Sequence, residues 1–153
     1  MMDKNVLKNG LIVYYYPIDN AYSTSIGLYI NAGSKMELPE QNGITHMLEH
    51  MHFRRLEELS QNELYFSMDK IGANLRAMTH KEYMRFYMKC RPKFFQDTIK
   101  FFKKIISMYN WSDEDFEQEK KVVLNELDSK ESNVYWESCM DSLVWGGIHY
   151  LCL

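Results

Sequence analysis

The sequence predicts an α+β fold in which helices pack on one face of an antiparallel sheet. Two strand-like stretches precede two helix-like stretches, and the same order then repeats along the chain. Grouped strands and helices of this kind, in place of strict alternation, are typical of α+β domains. The 153 residues are enough for one domain with a core, and 46% are hydrophobic. We expect residues 1–153 to form a single domain, because no linker or repeat divides them.

The predicted strands are bounded by turn residues. An Asn-Gly pair at 9–10 predicts a tight turn into a strand over 11–16. Apolar residues alternate with small or polar ones over 24–31, which predicts a second strand. Residues 73–90 predict two extended segments joined by a turn near 79–81.

Four helices are predicted from apolar spacing and from capping residues. Ser60 and Glu63 form a capping-box pattern, so a helix should begin at Ser60 and end near Gly72. Ser112 precedes three carboxylates, which suit the positive end of a helix. The other three expected helices span residues 43–58, 93–109 and 112–133.

The segment His46-Met47-Leu48-Glu49-His50 carries the strongest chemical signal. On a helix, His46 and His50 lie one turn apart on the same face, so their imidazoles can converge on one cation. Glu49 lies at the edge of that face, where it can take a proton from water that attacks a carbonyl. This HxxEH order is the inverse of the HExxH arrangement of many zinc peptidases.

Two histidines do not complete a catalytic zinc site, which usually has three protein ligands. Candidates for the third ligand lie on the fourth predicted helix: Glu119, Glu126 and, more remotely, Glu131. Glu119 and Glu126 are seven residues apart and so share one helix face. One could bind the metal while the other holds a histidine or the water, and spacing does not assign the roles. Nor does spacing distinguish zinc from manganese or cobalt.

Composition excludes several other function classes. The net charge of −3 gives no basic surface for a nucleic acid or an anionic membrane. The longest apolar run is too short to cross a bilayer. Three scattered cysteines form no CxxC pair, and the N-terminus has no signal-peptide pattern. We therefore expect a cytoplasmic protein with reduced thiols.

The residues around the HxxEH segment closely resemble the pitrilysin family of inverzincin peptidases, which includes the insulin-degrading enzyme and the mitochondrial processing peptidase. The matching segments keep the family's order and spacing between about residues 7 and 127. They are residues 32–34, Glu37, 43–53, 72–73, 77–79 and 119–126.

That resemblance implies a role for each candidate residue. His46, His50 and Glu126 would bind Zn²⁺. Glu49 would be the general base. Glu119 would be a second catalytic carboxylate, which does not bind the ion itself but holds a group beside it. The fold would be a truncated version of the pitrilysin-type peptidase domain, and the function would be zinc-dependent hydrolysis of short or unfolded peptides.

Two departures from the family pattern concern substrate and partners. Arg76 replaces the usual Asn beside Ala77, on a strand whose edge pairs with the peptide substrate in the family, and Arg55 replaces a usual Gly. Arg76 and Ala77 are thus candidate substrate-binding residues, with Arg76 favouring acidic peptides. Because the chain ends at Leu153, we expect an incomplete domain that needs a second copy or a second pitrilysin-like chain. The alternative is a zinc-binding but inactive subunit or a truncated remnant.

Overall fold

The computed structural model describes residues 1–56, 59–105, 107, 111–129 and 143–144. The strands are β1 (Asp3–Val6), β2 (Ile12–Tyr15), β3 (Thr24–Ile30), β4 (Arg55–Leu56), β5 (Leu59–Ser60), β6 (Asn74–Thr79) and β7 (Met84–Cys90). The helices are α1 (Ile44–Arg54), α2 (Gln61–Lys70), α3 (Phe95–Ile105) and α4 (Asp113–Ser129).

The central sheet has three antiparallel strands in the order β3–β7–β6. Side chains alternate along β7, so that every second one is buried, and Phe86 lies opposite Leu28 on β3 and Ala77 on β6. Helices α2 and α3 cover this buried face. The resulting core contains Leu64, Met68, Ala73, Met84, Phe86, Met88, Cys90, Phe102 and Ile105. The predicted α+β class, with helices on one face of an antiparallel sheet, is confirmed.

The N-terminal hairpin follows the prediction, but it forms its own two-stranded sheet. Strands β1 and β2 pair on either side of Gly10, whose φ of +86° is easy only for glycine. Nearly all side chains of this hairpin are exposed, including Tyr14, Tyr15 and Tyr16.

Helix α2 begins and ends at the residues that its capping pattern predicts. The Ser60 hydroxyl accepts a hydrogen bond from the Glu63 amide, and the Glu63 carboxylate accepts one from the Ser60 amide. These bonds lower the pKa of the Glu63 carboxyl, the side-chain bond from Ser60 contributing most. At the other end, Gly72 adopts φ +61° and donates its amide to the carbonyl of Asp69.

The predicted end of the first helix at Glu58 is wrong, because α1 ends at Arg54. Its chain reverses in a two-residue ladder, β4 with β5, before Ser60 caps α2. A helix that continued to Glu58 would leave no residues for this reversal. The predicted ends of the third and fourth helices, at residues 109 and 133, lie outside the described residues.

The loop before α1 is tied to the turn between β6 and β7. Ser34 donates its amide to the carbonyl of His80, and Lys35 donates to that of Lys81. This approach requires Gly33, because a Cβ there would lie 2.5 Å from both carbonyl oxygens. The loop thus holds the first turn of α1 at a fixed place beside the sheet.

A buried carboxylate completes this attachment of α1. Glu37 accepts hydrogen bonds from the amides of Gly43 (2.7 Å) and Thr45 (2.8 Å). These amides belong to the first turn, where no intrahelical partner exists and a negative charge suits the helix dipole. Within the described residues, no helix is long and apolar enough to span a membrane.

Candidate metal centre

Helix α1 brings the two histidines of the HxxEH segment together. The Nε2 atoms of His46 and His50 lie 3.2 Å apart, and the two rings are nearly perpendicular. His46 is buried and His50 half-buried. The one-turn spacing on a single helix therefore places both nitrogens at one point, as the sequence predicts.

Helix α4 supplies the third group at this point. The Oε2 atom of Glu126 lies 3.3 Å from His50 Nε2 and 3.9 Å from His46 Nε2. The potential ligand atoms of these three residues all lie within 4.8 Å of one another. Of the three carboxylates that spacing left open, the structure places Glu126 here, while Glu131 lies outside the described residues.

The three groups fit a zinc ion in chemistry and in size. Two imidazoles and one carboxylate are a common set of ligands for catalytic zinc. Bond lengths near 2 Å and tetrahedral angles put neighbouring ligand atoms about 3.3 Å apart. The observed separations of 3.2, 3.3 and 3.9 Å are close to that value. His46, His50 and Glu126 could therefore hold a zinc ion with little rearrangement.

Glu119 contacts His50 on the ring nitrogen that faces away from His46 and Glu126, and it is not one of the three potential ligands. Its Oε1 atom is 2.9 Å from His50 Nδ1, and the residue is buried. Because a carboxylate only accepts hydrogen bonds, Nδ1 must carry the proton. His50 Nε2 then keeps its lone pair for a cation, which is the tautomer that a metal ligand requires.

Two further residues complete the surroundings of the centre, and neither was singled out from the sequence. Arg54 lies one turn after His50 on α1, and its Nη1 is 3.5 Å from Glu119 Oε2. The i, i+4 spacing from His50 was a signal that could have revealed it. Thr79 is the last residue of β6. Its place in segment 77–79, which resembles the family, was the signal that could have revealed it.

Thr79 contacts the candidate general base. Its hydroxyl donates to Glu49 Oε2 at 2.5 Å and so fixes the plane of that carboxylate. The carboxylate is attached to α1 and the hydroxyl to the sheet. Their hydrogen bond therefore links Glu49 to the strand that leads into the site.

The candidate substrate residues lie on opposite faces of β6. Ala77 is half-buried on the core face, which it shares with Thr79. Arg76 is exposed on the other face, where its Nε donates to Asn74 Oδ1 at 3.1 Å. Among the described strands, β6 lies at one edge of the central sheet.

The other two histidines that the structure describes, and the one described cysteine, lie outside the centre. His52 lies on α1 with its ring against those of Phe86 and Trp111. Burial lowers the pKa of its imidazole. His80 packs on Tyr83 in the β6–β7 turn. Cys90 is a buried free thiol.

Comparison with known proteins identifies the family. The family model for Insulinase (Peptidase family M16) matches residues 15–144, most of the chain. The chain belongs to this peptidase family. The resemblance seen in the sequence is thereby confirmed, since the same family relates the chain to the mitochondrial processing peptidase.

Several M16 relatives are similar over most of the chain. An uncharacterized zinc protease of Bacillus subtilis, YmxG, is 31% identical over 83% of the chain and 31% of its own length. The human mitochondrial-processing peptidase subunit beta is 33% identical over 76% of the chain and 24% of its own length. Core protein I of the mitochondrial ubiquinol–cytochrome-c reductase complex of Euglena gracilis is 31% identical over 92% of the chain and 28% of its own length.

A solved structure supports the M16 fold directly. The crystal structure of a protease from Helicobacter pylori superposes with a TM-score of 0.76 at 26% identity, covering 82% of this chain and 30% of that one. The chain spans between a quarter and a third of the length of the relatives it matches.

Removing the Glu119 carboxylate should weaken metal binding without unfolding the protein. We expect Glu119→Ala to lower zinc affinity by roughly 10- to 100-fold, because His50 loses the acceptor that fixes its tautomer. Competition with a chromophoric chelator measures this change. Glu117→Ala, at an exposed position of the same helix, is the matched control. Equal zinc affinity in the two variants would contradict this role for Glu119.

Proposed function

We propose that this chain forms the metal-binding part of a zinc endopeptidase that hydrolyses short or unfolded peptides. The convergence of His46, His50 and Glu126 on one point, with Glu49 beside it, carries the proposal. Membership of the M16 family supports it, as does similarity to a protein named as a zinc protease.

Each residue has a distinct task in this reaction. His46 and His50 would hold the zinc ion through Nε2, and Glu126 would hold it through a carboxylate oxygen. When bound, the ion supplies Lewis acidity, which polarises the scissile carbonyl and lowers the pKa of water. Glu49 would accept the proton of the attacking water and pass it to the departing amine.

The hydrogen bonds around these residues support their tasks. Thr79 holds one oxygen of Glu49, which keeps the general base from turning away from the site. Glu119 keeps the proton of His50 on Nδ1. Both hydrogen bonds restrict the conformations of these side chains before the reaction. Such pre-organisation is a large part of what an active site contributes to catalysis.

Substrate would bind along β6. An extended peptide can add to the edge of a sheet through main-chain hydrogen bonds, and β6 ends at Thr79, which contacts Glu49. A peptide paired with β6 would therefore lead toward the general base. Ala77 would then lie beside the peptide on the core face of the sheet. Arg76 would lie beside the peptide side chains on the exposed face and favour acidic ones.

The amide variant of the general base should lose activity but keep the metal. We expect Glu49→Gln to lower kcat for a fluorogenic peptide by roughly 100-fold or more, because an amide cannot accept the proton. Zinc content by elemental mass spectrometry should stay at the wild-type value. Glu40→Gln, an exposed carboxylate in the loop before α1, is the control. A Glu49→Gln protein as active as wild type would refute the mechanism.

Charge at position 76 should affect substrate choice. Two peptides that carry either Glu or Lys at one outward-facing position test this. A cross-strand pair with Arg76 should stabilise the bound Glu peptide modestly relative to the Lys peptide. We expect Arg76→Asn to reduce the Glu-over-Lys ratio of kcat/KM by roughly two- to five-fold. Arg91→Asn, exposed beyond the end of β7, should leave the ratio unchanged. An unchanged ratio in Arg76→Asn would exclude this contact.

The second candidate function is a zinc-binding subunit that does not cleave alone. Two relatives carry the names of a peptidase subunit and of a complex core protein, which favours a requirement for a second chain or copy. The exposed tyrosines of β2 offer apolar area for such a partner. This candidate predicts zinc binding without peptidase activity in the isolated chain. A protein that light scattering shows to be monomeric and that cleaves peptides would exclude it.

A further inference from the structure

Helix α4 is attached to the rest of the protein in an unusual way. Along the described part of α4, Glu119 is the one buried residue, and no α4 side chain belongs to the buried core. Three of its large apolar side chains, Phe116, Val122 and Leu124, are exposed. Val123 and Leu127 are only half-buried, so within the described residues the polar contacts with α1 make up a substantial part of the attachment.

These polar contacts centre on the Glu119 carboxylate. Its Oε1 accepts from His50 Nδ1 at 2.9 Å, and its Oε2 lies 3.5 Å from Arg54 Nη1. The other terminal nitrogen of Arg54 donates to Gln118 on the same helix. Two α1 residues one turn apart thus hold both oxygens of one α4 carboxylate.

A buried carboxylate of this kind needs a cationic partner. Removing such a group from water is unfavourable unless a charge or several hydrogen bonds compensate for the lost hydration. The Glu119 side chain is only 5% exposed, and the Arg54 guanidinium is charged at every physiological pH. Arg54 therefore provides compensation that does not depend on a bound metal.

The same contact determines where Glu126 lies. Glu126 follows Glu119 by seven residues, two helical turns or about 10 Å along the axis. Fixing Glu119 against α1 therefore places Glu126 near His46 and His50. If α4 were not fixed against α1, metal binding would also have to order Glu126 beside the two histidines, and zinc affinity would fall.

We propose that Arg54 is a positioning residue that docks α4 on α1 and so pre-organises the metal centre. It touches neither the proposed ligand atoms nor the general base and acts through Glu119 and Gln118. This inference rests on the proposed zinc site.

Zinc affinity of the full chain tests the proposal. Arg54→Met keeps much of the side-chain length and removes the charge, and Arg54→Lys keeps the charge without the forked donors. Arg85→Met is the matched control, because Arg85 lies over Tyr87 on the opposite face of the sheet. By chelator competition we expect a loss of roughly 10- to 100-fold in Arg54→Met, a smaller loss in Arg54→Lys and none in the control.

A second readout needs no metal. Hydrogen exchange of the metal-free protein should show faster exchange of α4 amides in Arg54→Met, with α3 unchanged. Wild-type zinc affinity together with wild-type α4 exchange in this variant would overturn the proposal. If Arg54→Met does not fold, unchanged affinity and exchange in Arg54→Lys would overturn it instead. If the wild type binds no zinc, the proposed function fails, and α4 exchange alone decides the role of Arg54.

Discussion

The hydrogen bond between His50 and Glu119 is the interaction on which the candidate metal centre depends. It joins residues 69 positions apart in sequence, and it sets both the position of α4 and the tautomer of His50. With Nδ1 protonated, Nε2 faces His46 and Glu126. One contact between a ring and a carboxylate thereby makes two sequence-distant helices into a single site.

A second constraint comes from the sheet. The β6–β7 turn contacts the loop before α1 through the carbonyls of His80 and Lys81, and Thr79 at its start contacts Glu49. Glu49, the proposed general base, and the loop before α1 therefore both contact the same turn. Among the described strands β6 also lies at an edge of the central sheet, so a peptide paired with it would be held by the same strand that contacts Glu49.

Local patterns in the sequence predicted local structure well. Capping residues identified both ends of α2, and the alternation over 24–31 predicted β3. The histidine spacing placed two candidate ligands together, since one helix determines their geometry. The break at Arg54 was missed, because it depends on the two-residue β4–β5 ladder.

Spacing alone could not choose between Glu119 and Glu126, because they share one face of α4. The choice depends on how that helix lies against α1, which only tertiary structure shows. The resemblance to a known family implies that Glu126 binds the metal and that Glu119 does not. In the structure Glu126 lies 3.3 Å from His50 Nε2, and Glu119 lies 2.9 Å from His50 Nδ1. Arg54 and Thr79 were not identified as parts of the site, because each acts through a partner distant in sequence.

If the proposed function is right, α1 and α4 together hold one zinc ion. The most direct test is the zinc content of the gel-filtered protein by elemental mass spectrometry, for wild type and Glu126→Gln. We expect about one zinc per wild-type chain and much less in the variant, because the three-ligand set loses its carboxylate. A folded wild-type protein without zinc, or a variant that retains the full content, would contradict it.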